Sequence, residues 1–199
     1  MLKRSAFIAV VSLLLVVGPV MGATTKYEID TAHSNVGFSI PIMGGLSHVR
    51  GKFTDFAVTI VYDDRDVTKS SVTAVIKAAS IDTGIERRDV HLRNADFFDV
   101  EKFPEITFQS SRVEKKGKNF IARGTFTMHG VAKEIALPFT INGVSKDAKT
   151  GKTALGATAK VTLNRRDFGI NFARPDNATF LGDTVEVELN LITRLASPQ

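Results

Sequence analysis

Along much of this chain every second residue is apolar or small, and few folds accommodate that pattern. Phe120, Ala122, Gly124, Phe126 and Met128 alternate with Ile121, Arg123, Thr125, Thr127 and His129. Ile135, Leu137, Phe139 and Ile141 continue the period, and Leu155, Ala157, Ala159, Val161 and Leu163 repeat it. Val185, Val187, Leu189 and Leu191 then stand against Glu186, Glu188 and Asn190. A period of two puts alternate side chains on opposite faces of a β-strand. Earlier strands are expected over residues 26–31, 35–40, 50–62, 70–78 and 106–113. The apolar register of 50–62 slips between Phe53 and Phe56, and a bulge near Asp55 would absorb the slip. Asp63-Asp64-Arg65-Asp66, Lys116-Gly117, His129-Gly130 and the polar stretch 147–151 supply turns. The count is about eight to nine antiparallel strands. Such a set buries its edges by closing into a barrel or packs as two sheets, and the alternation leaves both open.

One segment departs from the period. Residues 85–93 read as a short helix, with Thr83 or Asp82 at its start and Glu86 in capping-box spacing to Thr83. A weaker helical turn is expected at 165–167.

Residues 1–23 have the layout of a cleaved secretory signal peptide. Lys3 and Arg4 precede an apolar run from Ala6 to Val17 broken only by Ser12. Gly18-Pro19 ends the run, and Met21-Gly22-Ala23 offers small residues for a cut. A membrane span needs roughly 20 apolar residues, so a retained anchor is not expected. Residues 24–199 are then expected to form a single soluble domain outside the cytoplasmic membrane, in a periplasm. Losing two bases and no acid lowers the formal charge from +5 to +3. That is too small to point to nucleic acid. The chain has no cysteine, which excludes disulfides, thiolate metal sites and cysteine catalysis.

The remaining residues carry little chemistry of a recognisable kind. His33, His48, His91 and His129 form no metal-spaced pair. No metal or cofactor is expected. His129 reads as an exposed hairpin tip. Asp30, His33 and Ser34 lie close together, but without a nucleophile elbow they read as a turn capping its own backbone. Gly44-Gly45 is no phosphate loop; it reads as a mobile lip beside Met43 and Leu46. More informative are the 14 phenylalanines, with no tryptophan and only two tyrosines. An interior so composed is apolar with few polar handles. It either fills itself or lines a cavity, and a barrel of about eight strands can do both.

Taken in order, the motifs resemble one family. Ile29-Asp30, His33-Ser34, Val36 and Phe38 open the match, followed by Gly51, Phe53 and Phe56. Ser80-Ile81-Asp82-Thr83-Gly84 leads to Arg88-Asp89, His91-Leu92-Arg93 and Asp96-Phe97-Phe98. Phe103-Pro104, Ile106, Phe108, Ser110, Gly124, Thr127, Gly130-Val131, Leu137, Arg165 and Asp167-Phe168-Gly169-Ile170 complete it. From Tyr27 to about Thr193 the chain resembles the YceI-like family. The resemblance implies an all-β, extended eight-stranded antiparallel lipocalin-like barrel. It also implies export to a periplasm, a link to stress responses and binding, transport or storage of a long-chain isoprenoid or other apolar lipid. Phe38, Met43, Phe53, Phe56, Phe126, Phe139 and Phe172 are the expected ligand-lining residues. Arg88, Asp89, His91 and Arg165 either orient a lipid head at the channel mouth or tie the helix across the barrel end, the second being preferred. One departure stands out: residues 38–46 lack the histidine that many relatives carry four positions past the phenylalanine. Rival readings are an enzyme acting on a lipid and a filled barrel serving as an interaction module. A homodimer is left open.

Overall fold

In the computed structural model, residues 24–149, 151 and 153–196 are described; the expected signal peptide lies outside them. Strand segments are β1 (Thr25–Ile29), β2 (Asn35–Ile42), β3 (Ser47–Phe53), β4 (Phe56–Tyr62), β5 (Ser71–Lys77) and β6 (Ile81–Asp82). After the helix α1 (Glu86–Arg93) come β7 (Glu105–Lys116), β8 (Asn119–Met128), β9 (Val131–Lys146), β10 (Thr153–Asn164) and β11 (Thr184–Leu195). All pairings are antiparallel.

These segments make eight strands, because three strands are each broken once. A 3-10 turn at Thr31–His33 separates β1 from β2, yet both lie along β11, through Ile29↔Thr193 and Asn35↔Asn190. In the next strand β4 pairs with β1 and β3 with β2. In the third, β5 pairs with β4 and β6 with β3 across the 3-10 turn Ala78–Ser80. From β5 the ring continues through β7, β8, β9 and β10 to β11. Pairing of β11 with β1 and β2 closes it. The result is an eight-stranded antiparallel barrel with one short α-helix. Closure into a ring, rather than two facing sheets, resolves the choice between barrel and sandwich.

The expected continuous strand over 50–62 is two segments. Thr54 and Asp55 step out of the ladder, with the Thr54 amide donating to the Ser80 carbonyl (3.1 Å) and the Lys77 amide to that of Asp55 (3.0 Å). The slip in apolar register is therefore a break matched by the neighbouring 78–80 turn. At the 31–33 turn, the Asp30 carboxylate accepts from the Ala32 amide (3.2 Å) and lies 2.9 Å from His33 Nδ1. Partial burial would raise its pKa, but the hydrogen bond to His33 and the charge of Arg194 hold it below the ordinary carboxylate value. Ser34 Oγ donates to the Ile192 carbonyl (3.2 Å) and accepts from the Ile192 amide (2.9 Å). This cluster, the closest approach to catalytic residue types in the sequence, stitches the closing seam.

Two other local expectations are corrected. The capping box does not form: Ile85 begins α1 with no side-chain cap. Buried Asp89, one turn into the helix, accepts both the Thr83 amide (3.0 Å) and the Thr83 hydroxyl, and Glu86 instead reaches Arg93 (3.4 Å). His129 is half-buried rather than an exposed tip. Its Nδ1 lies 3.1 Å from the Phe168 carbonyl oxygen, and its ring sits 4.6 Å from that of Phe103. The turn at Arg165–Phe168 is present as expected.

Packing is tightest around Phe53, Phe56, Ala78, Ile81, Phe97, Ile106, Met128, Phe168 and Ile170. Gly124 marks another close approach. Beside it β7 shifts register between Ser110 and Arg112, and a Cβ on Gly124 would lie 2.1 Å from the Gln109 carbonyl oxygen. Gly124→Ala is expected to cost about 2–3 kcal/mol, as overpacking against an immovable backbone does. Chemical denaturation checks this: the midpoint should fall without a change in slope.

Candidate functional site

The inward faces of the strands do not meet. Between them lies a cavity of about 710 Å³. Its wall is built by the alternation seen in the sequence: Ala122, Phe126 and Met128 from β8, Leu137 and Phe139 from β9, Ala157 and Ala159 from β10, Val187 and Leu189 from β11. It runs from Tyr62, Ser70 and Leu155 at one end to Arg87, His91 and Phe172 beneath α1 at the other. The continuous void removes the filled interior from the readings left open by the sequence.

Among the seven expected lining residues, Phe38, Phe53, Phe126, Phe139 and Phe172 face the cavity. Phe56 and Met43 do not. Phe56 shares a face with Val58 and Ile60, which do line it, but is packed within the cluster that includes Ala78 and Phe97. Met43 is 53% exposed. It opens a 3-10 turn, Met43–Gly45, in which Met43, Gly44 and Gly45 have φ of 55°, 67° and 94°. That left-handed run carries the side chain outward, while the Met43 amide is held by the Phe180 carbonyl (2.7 Å).

The helix end of the channel is aromatic and basic. On α1, Arg87 and His91 are four residues apart and Arg88 and His91 three, so all three share a face, and all line the cavity. The His91 ring meets Phe97 and Phe172 edge-on at 5.0 and 5.1 Å, and Phe97 lies 4.7 Å from Phe172. Phe53 bridges Phe38 and Phe98, at 5.9 Å from each. His91 Nε2 lies 2.9 Å from Asp96 Oδ2. Arg88 donates from Nε to Thr83 Oγ1 (2.7 Å) and from Nη2 to the Thr83 carbonyl (2.9 Å). Thr83 therefore joins Arg88 to Asp89, and the Arg88-Asp89 part of the cluster fastens the helix to the preceding turn.

Arg165 serves the frame in another way. It is 3% exposed and donates to the carbonyls of Gly182 (2.9 Å) and Ile170 (2.8 Å) and to Asp183 Oδ1 (2.8 Å). Burial lowers the pKa of its guanidinium and Asp183 counters part of that. The sequence reading missed Arg87, Arg174, Phe97 and Phe98 as wall residues. For Arg87 the four-residue spacing to His91 was the available signal. His33 and Ser34 are not part of the wall. Among the described residues no group of three or more metal-ligating side chains gathers, and no helix is long and apolar enough to cross a membrane.

Known proteins share both sequence and architecture. The YceI-like domain matches residues 27–193. A UPF0312 protein of Pseudomonas putida is 37% identical over 172 residues, covering 85% of this chain and 88% of that one. Protein YceI of Salmonella arizonae is 35% identical over 159 residues, 80% and 82% of the two chains. The crystal structure of a Campylobacter jejuni YceI protein superposes with a TM-score of 0.67 at 30% identity, covering 76% and 88%. A Saccharophagus degradans domain described as polyisoprenoid-binding superposes at 0.63 with 15% identity, covering 85% and 98%, a likeness of fold.

Proposed function

The chain belongs to the YceI-like family, and from that premise we propose that it is a non-enzymatic carrier that holds a long apolar lipid, a polyisoprenoid first of all, inside its barrel. The single observation that carries this reading is the continuous apolar wall around a cavity of about 710 Å³. Each methylene moved from water into such a wall contributes about 0.8 kcal/mol, so a long chain binds without any charge partner. The Saccharophagus degradans domain, named for polyisoprenoid binding, supports the choice of lipid through a shared fold. The cluster of His33 and Ser34 is occupied in stitching the seam, and nothing in a carrier requires bond cleavage. Exported past the cytoplasmic membrane by residues 1–23, the protein would shield its lipid from water for transport or storage.

Native mass spectrometry of gently purified protein tests this. The expected result is one chain-like lipid per polypeptide, recovered intact after prolonged incubation with the protein. Protein that emerges empty and takes up no added polyprenol would remove the carrier reading. Recovery of a cleaved lipid would replace it with an enzyme.

A further inference from the structure

The channel wall contains four arginines and one histidine, and no aspartate or glutamate. A plain hydrocarbon guest gives that charge nothing to do. Arg165 is consumed by its two carbonyls and Asp183 at the barrel frame. The others, Arg87, Arg88 and Arg174, gather with His91 at the helix end. The carboxylates around them are already engaged: Asp89 by Thr83, Asp96 by His91, and Asp176 by both Nε (2.9 Å) and Nη2 (2.6 Å) of Arg174, which also lies over the Phe180 ring (4.6 Å) and is thereby itself paired. Arg88 is held by the hydroxyl and carbonyl of Thr83, and through that hydroxyl it is linked to the buried Asp89 carboxylate. The Arg87 side chain makes no hydrogen bond or ion pair among the described residues, although it lines the cavity.

We propose that the channel is built for an anionic amphiphile, whose phosphate or carboxylate head is held at the mouth by Arg87, the wall arginine there that has no side-chain partner among the described residues. This rests on the carrier reading and gives it a head-group class. A guanidinium presents paired N–H donors that match the oxygens of either head, and charge-assisted bonds of this kind are roughly twice as strong as neutral ones. Apolar walls beneath the mouth concentrate its positive field. A prenol would gain only the chain contacts; its phosphate would gain the head contacts as well.

Displacement of the neutral dye N-phenyl-1-naphthylamine separates the two levels of this reading. Geranylgeraniol is compared with geranylgeranyl phosphate, and hexadecanol with palmitate, each at low and high salt. Each acid is expected to bind about tenfold or more tightly than its alcohol, with the advantage shrinking in salt. Tight binding of the phosphate alone, or of both acids, identifies which head the mouth accepts. Arg87→Gln should cut the advantage of each acid several-fold while changing the affinity for either alcohol far less; the Arg87 side chain is exposed, so the barrel keeps its fold. Equal affinity for geranylgeraniol and its phosphate, and for hexadecanol and palmitate, would overturn the anionic head while sparing the carrier. Failure of all four compounds to displace the dye would overturn both.

Discussion

A tryptophan in place of Ala159 is expected to abolish lipid binding while leaving the barrel folded. Ala159 stands in mid-wall, opposite Phe139 on β9 and Leu189 on β11, and its methyl faces the cavity. An indole there enters space that already exists, so it adds apolar contact without pushing on the backbone. For a guest the effect is the reverse. If the ring displaces about four methylenes, the loss is about 3 kcal/mol, over a hundredfold in affinity. Dye displacement by geranylgeraniol measures the binding, and far-ultraviolet circular dichroism with thermal melting checks the fold. An unchanged melting temperature with unchanged affinity would place the lipid outside the barrel.

Arg165→Ala is expected to cost about 3–5 kcal/mol of stability, the range for removing one partner of a buried charged network. Its guanidinium fork joins the 165–168 turn to the chain at Gly182 and Asp183 and also holds the Ile170 carbonyl. Without it, two carbonyls lose their donors and a void remains. For a domain of this size the melting temperature should fall by roughly 10 °C or more. Lysine should not rescue the site, since a single ammonium cannot span the same acceptors. Asp183→Asn should matter much less, because Asp183 is partly exposed to water and the amide oxygen can still accept from Arg165. If Arg165→Ala melts like the parent, the fork is not what holds this end of the barrel.

Strand faces were legible in the sequence because a half-buried strand writes its orientation into every second residue. Phe38, Phe53, Phe126 and Phe139 face the cavity for that reason, whereas Phe172, which also lines it, lies outside the strands. Which members of a face reach the void leaves no such mark: Phe56 and Val58 share a face and one packed cluster, yet only Val58 also lines the cavity. Closure was equally invisible locally, since it depends on pairing Ile29 with Thr193. The capping box failed through competition, because Asp89 arrives one helical turn later and takes both Thr83 donors. Arg174 lies between strands, where no period exists to place it.

The closing seam also sets the order in which this molecule can come into being. Ser34 meets Ile192 across 158 positions, and β1 and β2 have no partner on that side until β11 has been synthesised. A ribosome therefore releases nearly the whole polypeptide before the ring can shut, and contacts so distant in sequence form slowly. Until then the nascent sheet carries bare edges, a hazard if it lingers at high concentration. The same delay suits a polypeptide that must be threaded through a narrow pore before it folds, as the exported carrier proposed here would be.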